Sequence, residues 1–138
     1  MHSPSFPKKI LITAGMPYGS KDLHFGRIGG VFVQADIFAR GMKDRIGDEN
    51  VIFVSGTDCY GSPIVEKYRT LVENHEYNGS IIDFVTEKHN NQLHTLNDYL
   101  IGLSLFGASA IGESGKIHAN FSREIFEQLY KSGYLYIS

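Results

Sequence analysis

The first third of the chain carries the pattern that most restricts its fold. A short β-branched run, Lys8 to Ala14 (KKILITA), leads into a loop of breakers, Gly15-Met16-Pro17-Tyr18-Gly19-Ser20-Lys21-Asp22. A long amphipathic pattern follows. Phe25, Ile28, Phe32, Ala35, Ala39, Met42 and Ile46 recur at spacings of 3, 4, 3, 4, 3 and 4, one face of an α-helix, which Val31 and Phe38 widen. A continuously apolar strand of this kind suits a parallel sheet covered on both faces. Glycine is abundant, 15 of 138 residues, and four of them (Gly19, Gly26, Gly29, Gly30) lie at this junction. Such a junction is where a backbone bends tightly or approaches a ligand.

The rest of the chain repeats the alternation. Val51 to Ser55 (VIFVS) reads as a second strand, with Gly56 to Pro63 as its loop. Ser62 is the expected N-cap of the next helix, with Pro63 at N1 and Glu66 near N3 or N4. That helix continues through Tyr68 to Glu73, and Asn78-Gly79-Ser80 separates it from a further helix at Ser80 to Leu96. Leu100 to Phe106 reads as a third strand and Gly107 to Lys116 as loop. Asn120 to Ser132 reads as a helix with Phe121, Ile125 and Leu129 inward, and Tyr134 to Ile137 as the start of a strand. Gly47 and Gly133 are the expected helix stops, and Asp36 and Arg40 an i,i+4 pair. The predicted order, β-α-β-α-α-β-α-β, gives an α/β fold, a Rossmann-like parallel sheet flanked by helices, as one domain over residues 1–138. Ligands of such sheets bind at the carboxyl ends of the strands, where both breaker-rich loops fall.

Charge and cysteine content narrow the function. Thirteen basic and fifteen acidic residues leave a net charge of −2, which excludes a dedicated polyanion-binding surface. Phosphate recognition must then be local. The single cysteine, Cys59, excludes an internal disulfide and a cysteine-built zinc site, and reads as a small buried thiol. His2, His75, His89, His94 and His118 show no metal-ligand spacing and read as structural or exposed. No apolar run approaches a membrane span and no apolar signal core precedes Lys9, so the expected compartment is the cytoplasm.

His24-Phe25-Gly26-Arg27 opens the long helix, and a helix N-terminus offers free N–H groups to an anion. Gly26 leaves room for a flat adenine or ribose. His24, Arg27 and Lys21 supply positive charge for phosphate oxygens. Neither G-x-G-x-x-G nor a Walker A lysine motif is present. His24 as a helix-start residue, Asp58 as a turn residue, Tyr18 as a packing aromatic, and Arg27 and Lys21 as surface charges are the plain alternatives.

These motifs resemble the class I aminoacyl-tRNA synthetases, and among them the methionyl-tRNA synthetases. Ile10 to Tyr18 is similar to that family's first strand and P-Y loop. His24-Phe25-Gly26-Arg27 sits at its H-I-G-H or H-L-G-H signature, Gln34-Ala35-Asp36 matches the following helix, and Gly56 to Ile64 resembles its G-T-D-E-H-G-T-P-I. The match is looser from Tyr99 to Ser109 and Glu127 to Tyr136. The resemblance implies ATP-dependent activation of methionine to methionyl-adenylate, then transfer to tRNA. Tyr18 would line the methionine side-chain pocket with Met16 beside it, and Asp58 would bind the α-ammonium group. His24 and Gly26 would bind ATP at its α-phosphate and adenosine, with Tyr18, Lys21 and Arg27 also at the nucleotide; His24 and Arg27 would carry the catalysis. Magnesium would accompany ATP, and no protein-bound zinc is expected.

The departures are specific. Arg27 replaces the second signature histidine, Ser20-Lys21-Asp22 replaces the family's N-G-containing region, and Cys59-Tyr60 replaces an acid–histidine pair. The family's K-M-S-K-S loop, connective domain and anticodon-binding helices have no counterpart here, which leaves autonomous activity of this chain an open expectation. The reading that competes with a catalytic fragment is a non-catalytic paralogue that binds methionine or a nucleotide or docks on a partner. A small nucleotidyltransferase of the same superfamily is a third. Either way an incomplete sheet predicts a homodimer or a partner protein over its open edge.

Overall fold

A computed structural model describes residues 6–136. Three parallel strands, β1 (Ile10–Thr13), β2 (Val51–Thr57) and β3 (Leu105–Ala108), form a sheet in the order β1-β2-β3. Ile12 faces Phe53 across the first pair, and Ser55 faces Phe106 across the second. The helical segments are α1 (Phe25–Arg27), a π-helical stretch (Ile28–Val33), α2 (Gln34–Ile46), α3 (Ser62–Glu73), α4 (Ile81–Asp98) and α5 (Gly112–Lys131). The parallel sheet with crossover helices expected from the alternation is the architecture observed.

Period-2 alternation sends Ile12, Val51 and Phe53 to one face, where Phe32, Ala39 and Met42 of the first helix and Leu96 of α4 pack on them. Burying a side chain such as Phe53 contributes about 1.5–3 kcal/mol. A second cluster, Cys59, Ile64, Phe84, Val85 and Ala108, lies under α3 and α4, and Tyr68, Tyr77 and Phe84 pack there edge to face. Cys59 is buried, as its reading as a small thiol requires. Leu11, Ile52 and Leu105 alternate onto the opposite face and stay exposed.

Several expected details change. Residues 25–46 are one helical run, but six of them are π-helical, and the wider turns rotate the residues before them relative to α2. Phe25, first in the predicted stripe, is therefore 78% exposed. Phe38 also faces out, while Asp36 faces in and accepts the Gly102 N–H at 2.7 Å and Arg40 Nε at 2.6 Å. Gly61, at φ +113°, is the N-cap of α3, so Ser62 is its first helical residue. Ser80 caps α4 in a reciprocal capping box with Asp83.

The predicted strand at Leu100 to Phe106 begins at Leu105 instead. Residues 100 and 101 finish α4: Leu100 takes φ +56°, its N–H bonds the Asn97 carbonyl at 2.9 Å, and the Ile101 N–H bonds the Leu96 carbonyl at 3.0 Å. This is a Schellman closure, with Ile101 and Leu96 both buried. Arg40 Nη2 then holds the Leu100 carbonyl at 2.6 Å. The loop expected over Gly107 to Lys116 shrinks because α5 starts at Gly112. Phe121, Ile125 and Leu129, expected inward, are 62%, 42% and 40% exposed. α5 packs on β3, and the side that carries Phe121, Ile125 and Leu129 stays largely exposed. Tyr134 to Tyr136 form no strand, and Ile137 lies outside the described residues.

Candidate functional site

The loop after β1 and the loop after β2 are joined through their backbones. The Asp58 N–H bonds the Pro17 carbonyl at 2.8 Å, and the Gly19 N–H bonds the Asp58 carbonyl at 2.6 Å. Tyr18 and Asp58 form a parallel bridge that extends the β1–β2 ladder past the strands. Gly19 suits this approach, since a β-carbon there would lie 3.1 Å from the Asp58 carbonyl oxygen and the two loops would have to part by a few tenths of an ångström.

A cavity of about 230 Å³ opens beside this junction, lined by Pro17, Tyr18, Lys21, Asp22, Leu23, His24 and Arg27. Four of the residues singled out from the sequence, Tyr18, Lys21, His24 and Arg27, thus share one wall. Met16, Gly26 and Asp58 stand next to this lining, not in it. His24 is the N-cap residue of the long helix and makes no side-chain cap bond. Its imidazole lies over Gly26, whose absent β-carbon would sit 3.1 Å from ring atoms Cε1 and Nδ1. Arg27 extends back towards β1, its Nη1 4.0 Å from the β-carbon position of Gly15. Asp22 is held by Lys88 Nζ at 3.2 Å. Lys21, His24 and Arg27 enter no ion pair among the described residues.

Asp58 Oδ1 accepts the Tyr60 N–H at 3.1 Å, an Asx turn that holds its carboxylate. The turn role and a ligand role are compatible, because a carboxylate has further acceptor sites. Met16 and Tyr18 are about half exposed, at 45% and 48%, on the rim.

The sequence reading missed the floor of the site. Gln92 of α4 is fully buried and donates from Nε2 to the carbonyls of Tyr18 at 2.9 Å and Lys21 at 2.7 Å. Thr57, also fully buried, contacts Gln92 and His89. Burial pushes the His89 imidazole below its ordinary range. The available signal was a glutamine on the apolar side of a helix, at Val85-Gln92-Leu96 spacing, where a polar side chain must find partners.

A three-stranded parallel sheet with flanking helices, its loops meeting at the carboxyl ends of the strands, is the Rossmann-like class of fold. The family model described as tRNA synthetases class I (M) matches residues 10–138, and the chain belongs to that family. Curated relatives include methionine–tRNA ligases. That of Cytophaga hutchinsonii is 31% identical over 128 residues, 92% of this chain and 17% of the relative. That of Pyrococcus abyssi is 32% identical over 127 residues, 92% and 16%. That of Roseiflexus sp. is 32% identical over 130 residues, 94% and 20%. The chain thus spans about a fifth or less of the length of these relatives.

Proposed function

We propose that this chain carries the part of a methionine-activating site that holds the amino acid and the α-phosphate of ATP. The convergence of Tyr18, Lys21, His24 and Arg27 on one cavity, with Asp58 bridged to Tyr18, is the observation that carries the reading. The methionine carboxylate attacks the α-phosphorus; the new bond gives methionyl-adenylate as the bond to pyrophosphate breaks. The nucleophile is already ionised, so no general base is needed and catalysis rests on positioning and charge stabilisation. Tyr18, with Met16 beside it, borders the methionine side chain, and Asp58 pairs with the α-ammonium group. His24 and Arg27 act on the α-phosphate as charge develops, Lys21 draws in the phosphates, and Gly26 admits the nucleoside.

Magnesium would neutralise triphosphate charge when it arrives with ATP. Among the described residues no three His, Cys, Asp or Glu side chains converge, and Asp22 in the cavity wall is taken by Lys88. The described residues form no protein cage for the ion.

Transfer to tRNA, and work in the cytoplasm, extend the same proposal. No helix among the described residues is long and apolar enough to cross a membrane. The exposed Leu11, Ile52 and Leu105 support a further copy or partner protein over that sheet face. The departure at Arg27 favours a second reading, a module that binds these ligands without turning them over. Calorimetric titration with a non-hydrolysable methionyl-adenylate analogue tests the site. Binding that weakens in both Asp58→Ala and His24→Ala is expected; no binding at millimolar analogue overturns it. Pyrophosphate exchange then separates the two readings, since only an enzyme incorporates label into ATP.

A further inference from the structure

The hydrogen bonds beneath the cavity have only one consistent direction. Gln92 Nε2 faces two carbonyl oxygens, Tyr18 at 2.9 Å and Lys21 at 2.7 Å, so the amide nitrogen must point at the loop and Oε1 away from it. Thr57 Oγ1 lies 2.7 Å from that Oε1 and must donate its only proton there. His89 Nδ1, 2.9 Å from Thr57 Oγ1, must then be the donor in its turn. The His89 ring is held flat on Phe106, with centroids 5.2 Å apart and an interplanar angle of 13°. From the same helix, Lys88 and Asn91 reach Asp22 at 3.2 and 3.4 Å. The loop that carries Tyr18 and Lys21 therefore takes its shape from α4.

We propose that Gln92, oriented by Thr57 and His89, is a positioning residue that holds the Tyr18–Lys21 loop in the conformation the adenylate site needs. The assignment rests on the function proposed above. Gln92 reaches no cavity-lining side chain and acts only through the two carbonyls. A buried glutamine whose amide meets three partners is costly to misplace: the Lys21 carbonyl would lose its partner, and the Tyr18 carbonyl and Thr57 hydroxyl would each lose one of two.

The test compares the wild-type chain with Gln92→Met and Gln92→Glu. Methionine keeps the length and removes every bond. Glutamate keeps the acceptor for Thr57 but cannot make both donated bonds: ionised, it turns oxygen to both carbonyls, and protonated, it donates to only one. Amide hydrogen exchange over residues 18–24 and calorimetry with the methionyl-adenylate analogue are read side by side. Both variants are expected to speed exchange in that loop, leave β1 and β2 protected, and weaken the analogue about tenfold or more. A merely space-filling role would leave Gln92→Glu like wild type, and that result overturns the proposal. So does a freed loop with unchanged affinity. Imidazole nitrogen shifts of wild-type His89 need no variant: the Nδ1–H tautomer is expected, and an Nε2–H tautomer overturns the network. Wild-type chain that binds no analogue overturns the functional reading, and with it the adenylate role. Exchange that is unmoved in the variants, with wild-type binding intact, overturns the role of Gln92 alone.

Discussion

A β-carbon on Gly56 would lie 2.6 Å from the carbonyl oxygen of Gly107, its partner across β2 and β3. The obstacle is backbone, which cannot swing aside as a side chain does. Gly56→Ala must push the strands apart one residue before Thr57 and two before Asp58. A loss of about 1–3 kcal/mol in urea unfolding is expected, the usual cost of overpacking. An unchanged denaturation midpoint would show that the strands part freely.

Leu100 offers the opposite case. It closes α4 at φ +56° with 77% of its surface exposed, so its side chain contributes little while its backbone is strained. Left-handed conformation costs a non-glycine residue ~1–2 kcal/mol, partly offset in Leu100→Gly by the greater freedom of glycine in the unfolded chain. The variant is expected to be more stable, by about 0.5–1 kcal/mol, with a rise in melting temperature as the readout.

Gly26 separates site from fold. Alanine there meets only the His24 ring, at 3.1 Å, and a ring at the end of a side chain can turn away. Gly26→Ala should match or exceed wild-type stability by up to about 1 kcal/mol, because alanine favours a helix. On the proposed role of His24 at the α-phosphate, analogue binding should fall at least about tenfold as its ring turns away, a charge-assisted contact being worth roughly 1.5–3 kcal/mol. Parallel melting and calorimetry check both halves.

His89 makes stability depend on pH. Burial lowers its pKa in the folded state from 6.5, so the unfolded chain takes up the proton first as pH falls. Its favourable contribution is complete above pH ~6.5 and declines below it, through the folded pKa. Wild type should lose more stability between pH 7.5 and 5.5 than His89→Gln, which can still donate to Thr57. Equal losses in urea unfolding would remove His89 as the cause. Asp83, lowered by the Ser80 hydroxyl and N–H, acts further down, its contribution present above pH ~3.8 and lost as pH falls through its folded value.

Helix ends show where a linear reading succeeds. Gly47 and Gly133 mark two stops because glycine takes a positive φ without strain, at +91° and +76°. His75 and Leu100 take the same role at the ends of α3 and α4, at +59° and +56°, and no residue type announced them. Tertiary contacts hold Leu100 there instead: Ile101 and Leu96 in the core, and Arg40 on its carbonyl. The third strand was misplaced for this reason, since β-branched and apolar residues at 100–103 suit a strand until a buried helix end claims them.

By itself the sequence determined the parallel alternation and the two loop motifs, and it grouped four of the residues that line the cavity, because each depends on residues near one another along the chain. Tyr18, Lys21, His24 and Arg27 lie within ten positions, so local pattern was enough to group them. Tertiary structure decided which way the long helix turns its first residue, how the apolar side of α5 is left, and what supports the loop. Gln92 stands 74 residues from Tyr18 along the chain, and only the packing of α4 beside β2 brings its amide beneath that carbonyl. Hydrogen bonds across such distances obey geometry, and no period in the chain encodes it.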